Sequence, residues 1–298
     1  MADSSQDGPF WFTESLPSYW DENLRTQVRV HRVLHEERTP YQHIQVFDVG
    51  NFGRSLLLDG IVQTSEADEF IYHEMVALLP CLLHGRPRDV LVIGGGDGGA
   101  LRRALAMSTV RRAVQVELDE RVIQVSRRFL PSISRGAFDD PRAQVIIGDG
   151  LAWVARFRRQ FDVAIVDLTD PTDEGPSSPL YAAPFFQDLK RALRGRGVLS
   201  IQSGSLTFQP EWVRRLREEL SSVFPHVRLH TAVVPSYQAG LFAFLFASGR
   251  PPPRLTPAAF ARRLSRVQDE VRYLSYEVYR ASMALPPYLA ERLGIPQR

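Results

Sequence analysis

The sequence is poor in two residue types that often reveal a protein's chemistry. Cysteine occurs once, at Cys81 within an apolar run, so the chain can form neither an internal disulfide framework nor a cysteine metal cluster. Lysine also occurs once, at Lys190, so arginine carries nearly all of the positive charge. Arginine pairs such as Arg102-Arg103 and Arg127-Arg128 fall on different predicted elements, which indicates solvated faces and not one basic groove for nucleic acid.

Long apolar runs are missing too. No stretch approaches the roughly 18 apolar residues that suggest a membrane span. The first seven residues lack the basic and apolar regions of a secretion signal. The composition, 44% hydrophobic and 23% charged over 298 residues, is that of an ordinary globular protein. We therefore expect no membrane segment and a cytoplasmic location.

Two kinds of pattern divide the chain. Between about residues 26 and 64, apolar and polar residues alternate in short bursts separated by turn sequences such as Gly50-Asn51-Phe52-Gly53 and Asp59-Gly60. This predicts antiparallel strands. After Pro87, strand-like and helix-like segments alternate, which is typical of a parallel sheet. We therefore predict a small β-rich N-terminal domain over residues 1–66 and an α/β domain over residues 67–298.

Seven strands are predicted in the second domain. They cover residues 89–94, 112–117, 143–148, 161–167, 197–202, 227–234 and 240–248. Only residues 235–239 separate the last two, too few for a parallel crossover, so these two strands must be antiparallel. One antiparallel strand on a mostly parallel sheet favours the methyltransferase-like variant of the Rossmann-type fold over the dehydrogenase variant.

A glycine-rich turn marks a candidate ligand site. Gly94-Gly95-Gly96-Asp97-Gly98-Gly99 follows a predicted strand and precedes a helix, the context in which such a turn lets the backbone approach a nucleotide. Glu117 ends the next strand, where an acid can accept ribose hydroxyls, and Asp149-Gly150 follows the strand after it, where an acid suits an adenine amino group. The alternative is structural: a tight turn, a solvated strand end and the N-cap of a helix over residues 150–157.

Three ligands compete for this site: a dinucleotide, S-adenosylmethionine and decarboxylated S-adenosylmethionine. Asp97 helps to separate them, because a carboxylate inside the turn repels phosphates and also the methionine carboxylate. A sulfonium nucleoside that ends in a bare ammonium fits better.

Two carboxylates lie three residues apart at another strand end. Asp167 and Asp170 follow the apolar run 161–166, which predicts a buried parallel strand, so they lie at the edge where open α/β sheets bind ligands. Paired acids there can bind a metal, cap the next segment, or serve as acid, base and cation clamp for an amine. Only Asp173 and Glu174 lie nearby as further ligands, so a divalent metal site is the weaker interpretation.

Together these motifs resemble the spermidine synthase family of polyamine aminopropyltransferases. The resemblance extends over most of the chain. Its blocks are Trp11, Tyr41-Gln42, Leu58-Asp59-Gly60, Asp68 to Glu74, Gly94 to Gly99, Glu117, Phe138 to Arg142, Asp149-Gly150, Asp167 to Pro171 and Tyr237. It implies transfer of an aminopropyl group from decarboxylated S-adenosylmethionine to an amine, with release of methylthioadenosine. A protonated alkyl amine has no lone pair to donate, so a carboxylate must accept its proton.

The resemblance also implies a role for each site residue. Asp167 is the base, and Asp170 holds the attacking amine in line with the electrophilic carbon. The other residues divide between the two substrates: Tyr72, Tyr237, Gln202 and Trp20 for the amine, and Gln42, His73, Gly94, Gly96, Asp97, Glu117, Asp149 and Gly150 for the nucleoside. The catalytic domain is then the one over residues 67–298.

Cofactors and partners follow from the same resemblance. Neither a metal nor a resident cofactor is needed, since decarboxylated S-adenosylmethionine is a co-substrate. The expected partners are that nucleoside and a small-molecule amine, with no nucleic acid and no membrane. We expect a homo-oligomer, dimeric or tetrameric, in which the N-terminal strands supply part of the interface.

The amine acceptor is where this chain departs from the family. Leu168 replaces a usually small residue, Tyr237-Gln238-Ala239-Gly240 replaces the usual Tyr-Pro-Ser-Gly, and the loop over residues 171–180, which resembles the family's lid, is longer and rich in proline. The motif at Asp167 and the stretch Gly197 to Gly204 are similar to members that use acceptors larger than putrescine, such as agmatine or a triamine.

Two other functions stay open at this point. One is an S-adenosylmethionine-dependent methyltransferase, which shares the sheet, the glycine turn and the ribose acid but needs neither the paired acids nor the pocket tyrosines. The other is a nucleoside-binding relative that has lost catalysis and serves as an interaction subunit.

Overall fold

Two small antiparallel sheets begin the chain. The computed structural model describes residues 8–15, 25–170, 177–238 and 240–295. The first sheet pairs β1 (Phe10–Thr13) with β2 (Gln27–Val30). The second contains, in chain order, β3 (Arg32–Arg38), β4 (His43–Asp48), β5 (Arg54–Leu58) and β6 (Ile61–Ser65). The antiparallel strands and the turns at Gly50–Phe52 and Asp59-Gly60 agree with the alternating pattern of this region.

Seven further strands form the large sheet. They are β7 (Asp89–Gly94), β8 (Arg112–Glu117), β9 (Ala143–Ile147), β10 (Phe161–Asp167), β11 (Leu193–Ser205), β12 (His226–Val233) and β13 (Leu241–Ser248). Their spatial order is β12-β13-β11-β10-β7-β8-β9, and β13 runs antiparallel to both of its neighbours while the other pairs are parallel. The predicted methyltransferase-like, mostly parallel seven-stranded sheet is confirmed.

Helices cover both faces of the large sheet. They are α1 (Glu69–His73), α2 (Leu79–His84), α3 (Gly99–Leu105), α4 (Glu120–Phe129), α5 (Pro131–Ser134), α6 (Gly150–Val154), α7 (Ala183–Ala192), α8 (Pro210–Val223), α9 (Pro257–Leu264), α10 (Tyr276–Ala281) and α11 (Pro287–Arg292). A π-helical turn, Glu74–Leu78, joins α1 to α2. Within the described residues, no helix combines the length and the apolar character needed to cross a membrane.

The N-terminal strands pack against the large sheet's helices through one face. Ile44, Val46 and Leu56 are almost fully buried and form a cluster with Val122 and Val125 of α4. Burying apolar area of this kind stabilises the contact by about 25 cal/mol per Å². The packing holds the loop between β3 and β4 over the carboxyl edge of the large sheet, where β7, β8 and β10 end.

The pair Arg102-Arg103 does not lie on a solvated face, and that prediction is wrong. Both side chains of α3 are buried, with 6% and 1% of their surface exposed. They point toward α1 and the π-helical turn, where Arg102 pairs with Glu69 at 2.8 Å and Arg103 pairs with Glu74 at 3.1 Å. Both also meet Asp269. Buried arginines are tolerated because each has a carboxylate within reach.

We predict that Arg103→Met destabilises the protein by about 3 kcal/mol, because it leaves the fully buried carboxylate of Glu74 without its counter-charge. Urea unfolding at a fixed protein concentration measures the change. Arg127→Met is the matched control, since it removes an exposed ion pair with Asp139 and should cost less than about 1 kcal/mol. Equal losses in the two variants would contradict the assignment.

Candidate active site

A cavity of about 250 Å³ lies at the carboxyl edge of the large sheet. Its walls come from the ends of β7, β8 and β10 and from the N-terminal strands β5 and β6. Twelve of the fourteen predicted site residues line it: Gln42, Tyr72, Gly94, Gly96, Asp97, Glu117, Asp149, Gly150, Asp167, Asp170, Gln202 and Tyr237. His73 is not among the lining residues, and Trp20 lies outside the described part of the chain.

The glycine turn is pressed against the end of β10. Gly94 has φ +80°, and a Cβ at this position would lie 2.2 Å from the carbonyl oxygen of Asp167. The N–H of Gly95 donates to that same carbonyl over 2.8 Å. Gln115 on β8 donates to the carbonyls of Gly94 and Gly95 from the other side. A side chain at 94 would therefore separate the turn from β10, which explains the glycine there.

The ribose end of the predicted nucleoside site is formed by residues from β8 and from the N-terminal unit. Glu117 is buried, and burial raises the pKa of its carboxyl to about 7 although the N–H of Asp119 donates to it over 3.0 Å. Gln42 donates to Asp119 over 3.0 Å and so brings the β3–β4 loop to the cavity. Asp149 caps α6 by accepting the N–H of Leu151 over 2.8 Å, as its structural alternative predicted, while it also lines the cavity.

The pKa of the Asp167 carboxyl is shifted toward neutral pH. Burial raises the pKa of its carboxyl most, and the negative charge of Asp97 raises it further. The charge of His73 and the hydroxyl of Tyr72, which donates to Asp167 over 2.5 Å, oppose this rise and leave the pKa at about 6. At pH 7 such a group is ionised and is still basic enough to accept a proton, which is what a general base requires.

Asp170 is held differently. Burial raises the pKa of its carboxyl, and Gln202 opposes the rise by donating to Asp170 over 3.0 Å. The same amide nitrogen lies 2.8 Å from the carbonyl oxygen of Leu168. Gln202 therefore fixes the short segment between the two acids, so that both carboxyls face one cavity.

Two tyrosines form the aromatic wall beside the acids. The rings of Tyr72 and Tyr237 meet edge to face at 5.7 Å, and Phe242 packs against both. The hydroxyl of Tyr237 donates to the carbonyl of Gln63 on β6 over 2.7 Å. Each hydroxyl proton is thus engaged, and the rings offer apolar surface and π faces to a ligand chain or cation.

His73 lies one layer behind the cavity. Its side chain is 1% exposed, with Nδ1 2.7 Å from Glu69 and Nε2 3.3 Å from Asp97. Burial lowers the pKa of the imidazole, but the carboxylates of Asp97 and Glu69 outweigh burial and raise it to about 10. The structure therefore places His73 against Asp97 and not in the lining of the predicted nucleoside site.

One group of side chains has the spacing of a metal site. Within the described residues, His73, Asp97 and Asp167 each offer a ligand atom, and these atoms all lie within 4.8 Å of one another. His73 contacts two carboxylates, Glu69 and Asp97, which favour a proton on the ring, so a metal ion would have to displace that proton to bind the imidazole. The two carboxylates of the group, Asp97 and Asp167, can also hold an organic cation.

Some residues at the site were missed by reading the sequence. Glu14 lines the cavity from the end of β1 although it is only 4% exposed, and its carboxylate accepts the N–H of Val62 over 2.8 Å. Gln63 and Asp59 also line it. No local signal marks Glu14 and Gln63, because their partners come from other strands. Asp59 belongs to the Leu58-Asp59-Gly60 block that resembles the family, but no site role was predicted for it. Glu69 was missed as well, although its spacing of four residues from His73 on a helix was a usable signal.

Sequence comparison finds relatives along nearly the whole chain. A profile described as the spermine/spermidine synthase domain matches residues 69–256, and one described as the spermidine synthase tetramerisation domain matches residues 10–66. A polyamine aminopropyltransferase of Desulforudis audaxviator is 40% identical over 95% of this chain and 98% of its own length. One of Bacillus subtilis is 37% identical over 94% of this chain and 98% of its own.

Solved structures with the same fold include two spermidine synthases. One, in complex with the transition-state analogue AdoDATO, has a TM-score of 0.89 and 36% identity, and the match covers 96% of this chain and 95% of that one. The other, from Thermotoga maritima, has a TM-score of 0.87 and 35% identity over 96% of this chain and 94% of that one.

Proposed function

The chain belongs to the spermine/spermidine synthase family, and from that membership we propose that it is a polyamine aminopropyltransferase. The family predicted from the motifs is thereby confirmed. The proposed reaction moves the aminopropyl group of decarboxylated S-adenosylmethionine to an amine and releases methylthioadenosine.

The proposal rests on one observation: Asp167 and Asp170 line the same cavity as the glycine turn and Glu117. Asp97 supplies a carboxylate for the ammonium of the aminopropyl tail, Glu117 accepts the ribose hydroxyls, and Asp149 faces the adenine. A nucleoside held at these three points presents its sulfonium carbon toward the two acids at the end of β10.

The proposed step is a single displacement. The amine nitrogen forms a bond to the carbon beside the sulfonium, the carbon–sulfur bond breaks, and its electron pair leaves with sulfur as a neutral thioether. The amine's proton goes to Asp167, which is ionised at neutral pH because its pKa is about 6. Asp170, fixed by Gln202, holds the amine in line with the carbon. Activity should therefore fall as the pH falls through about 6.

We propose that no resident cofactor or metal takes part, since the nucleoside brings the leaving group and the protonated His73 supplies a local positive charge.

The match of residues 10–66 to a tetramerisation domain supports a homo-oligomer, and the two profiles support a domain division between residues 66 and 69. A cytoplasmic location is also proposed, because both substrates are cations that do not cross a bilayer unaided.

The acceptor is proposed to be an amine with a second positive charge, and the candidates are putrescine, cadaverine, agmatine and spermidine. Leu168 lines the cavity beside Asp167. Glu14, from the N-terminal unit, adds its carboxyl group to those of Asp167 and Asp170. Most of the loop predicted as a lid, residues 171–176, lies outside the described residues.

The proposed function is tested by incubating the purified protein with equal concentrations of the four amines and with either decarboxylated S-adenosylmethionine or S-adenosylmethionine, and by identifying the products by mass. We expect methylthioadenosine together with one aminopropylated amine in excess. S-adenosylhomocysteine formed from S-adenosylmethionine would instead support the methyltransferase, and no product from either nucleoside would support the non-catalytic relative.

We predict that Asp167→Asn lowers kcat by about 100-fold or more, because it removes the base but keeps the size of the side chain. Binding of methylthioadenosine, measured by calorimetry, should persist. Near-normal turnover in this variant would remove Asp167 from the role of base. Added EDTA is a companion control, and activity that is lost with EDTA and restored by a divalent ion would show that a metal takes part.

We further predict that Asp97→Asn weakens binding of decarboxylated S-adenosylmethionine on the order of 10-fold to 100-fold, the effect of one charge-assisted hydrogen bond. Binding of S-adenosylmethionine should change much less, because its carboxylate is repelled by Asp97. Calorimetry on both nucleosides measures the difference. Equal losses for the two would contradict the pairing of Asp97 with the ammonium.

A further inference from the structure

A row of four charged side chains leads from the buried side of α3 to the cavity. Arg102 donates to both carboxylate oxygens of Glu69, at 2.8 and 3.1 Å. Glu69 lies 2.7 Å from Nδ1 of His73, and Nε2 of the same ring lies 3.3 Å from Asp97. Asp97 alone reaches the cavity. The charges along the row alternate in sign, and the first three side chains are almost fully buried.

The two carboxylates beside His73 favour a charged ring. A neutral imidazole carries one N–H, so it can donate to only one of the two carboxylates, and the lone pair of its other nitrogen would then face a negative oxygen. An imidazolium presents an N–H toward each of them. Glu69 in turn cannot give up its charge easily, because Arg102 and His73 hold the pKa of its carboxyl at about 2 against the effect of burial.

The ring also has little room to move. A Cβ on Gly99, the first residue of α3, would lie 2.2 Å from Cε1 of His73, so only glycine allows the ring its position. On another side the ring of Tyr72 meets it edge to face at 5.3 Å. Asp97 is fixed at the same time, because its other oxygen accepts the N–H of Gly99 over 2.8 Å.

We propose that Glu69 is a positioning residue of the active site: held by Arg102, it keeps His73 charged behind Asp97, and so fixes the direction of Asp97 and eases ionisation of Asp167. The geometric part concerns this chain alone, whereas the catalytic consequence rests on the proposed function. Glu69 touches neither substrate nor reacting atoms in this assignment, and it acts through His73.

The charged groups that face His73 determine the direction in which the pKa values of His73 and Asp167 change in Glu69→Gln. Glu69 lies on its own helix, Asp97 on the glycine turn, Asp167 at the end of β10 within 4.8 Å of the cluster, and Arg102 behind Glu69 on α3. In Glu69→Gln the ring loses one carboxylate while Arg102 stays, so it should become neutral. Asp167 then loses the positive charge of His73, which lowers the pKa of its carboxyl in wild type, so the carboxyl should keep its proton to higher pH.

The test compares Glu69→Gln with wild type by two measurements. The first is the titration of His73 followed by nitrogen-15 NMR in the substrate-free protein, where we expect the pKa of the ring to fall by about four pH units, so that the ring is neutral in the pH range where Asp167 titrates. The second is the pH dependence of kcat/KM for the best amine, whose acidic limb should move to higher pH. A ring that titrates as in wild type, or a limb that stays or moves to lower pH, would overturn the proposal.

Asp269→Asn is the matched control. It removes a carboxylate from Arg102 and Arg103 but leaves the contact between Glu69 and His73 intact. It should lower stability and change neither the ring titration nor the acidic limb. A control that moves both as far as Glu69→Gln does would reduce Glu69 to a structural residue and overturn the proposal.

If Glu69→Gln does not fold, Gly99→Ala replaces it, because the added methyl would overlap the ring of His73 and displace it from Asp97. The same upward move of the acidic limb is expected, and an unmoved limb would contradict the proposal. Wild type that makes no methylthioadenosine with any amine would refute the proposed function alone. The NMR titration would still decide the role of Glu69, because it needs no turnover.

Discussion

The contact on which the rest of the active site depends lies between two stretches of backbone. The glycine turn after β7 touches the last residue of β10 so closely that the N–H of Gly95 bonds to the carbonyl of Asp167, with no room for a Cβ on Gly94. This contact fixes Asp167, the proposed base, with respect to the turn that is proposed to receive the nucleoside. Because both partners are main-chain atoms of neighbouring parallel strands, their separation is held by the sheet and varies less than a contact between long side chains would. Gln115, Tyr72 and Gln202 then only refine an arrangement that the two strands define.

Buried charge is the second constraint on this site. Burying an ion costs several kcal/mol unless a partner of opposite charge compensates for it. In this protein, each buried charge lies next to one of opposite sign. The series is Glu74, Arg103, Asp269, Arg102, Glu69, His73 and Asp97. Such a row contributes little net stability, and its value lies in orientation, because each side chain has only one direction in which its charge is satisfied. The carboxylate of Asp97, at the end of the row, therefore has a fixed direction before any ligand binds.

The strands and most of the cavity could be predicted from the sequence because their signals are local. Apolar runs followed by Gly94, Glu117 and Asp167 mark strand ends, and parallel strand ends meet at one edge. The inward direction of Arg102 and Arg103 could not be predicted, since it depends on acids of other elements that α3 meets only after folding. The place of His73 behind Asp97 and the contribution of Glu14 depend on such tertiary contacts as well. The roles assigned to the individual site residues stay predictions until variants are measured.

Glu74 connects two segments that lie far apart in the sequence. Its carboxylate is fully buried and accepts the backbone N–H groups of Arg272, Tyr273 and Leu274, residues 198 to 200 positions further along the chain. Its counter-charge, Arg103, follows soon after it in the sequence, but these three backbone donors come much later. A chain truncated before residue 272 would therefore leave the buried carboxylate of Glu74 without three of its hydrogen-bond donors, directly beside the helix that carries Tyr72 and His73.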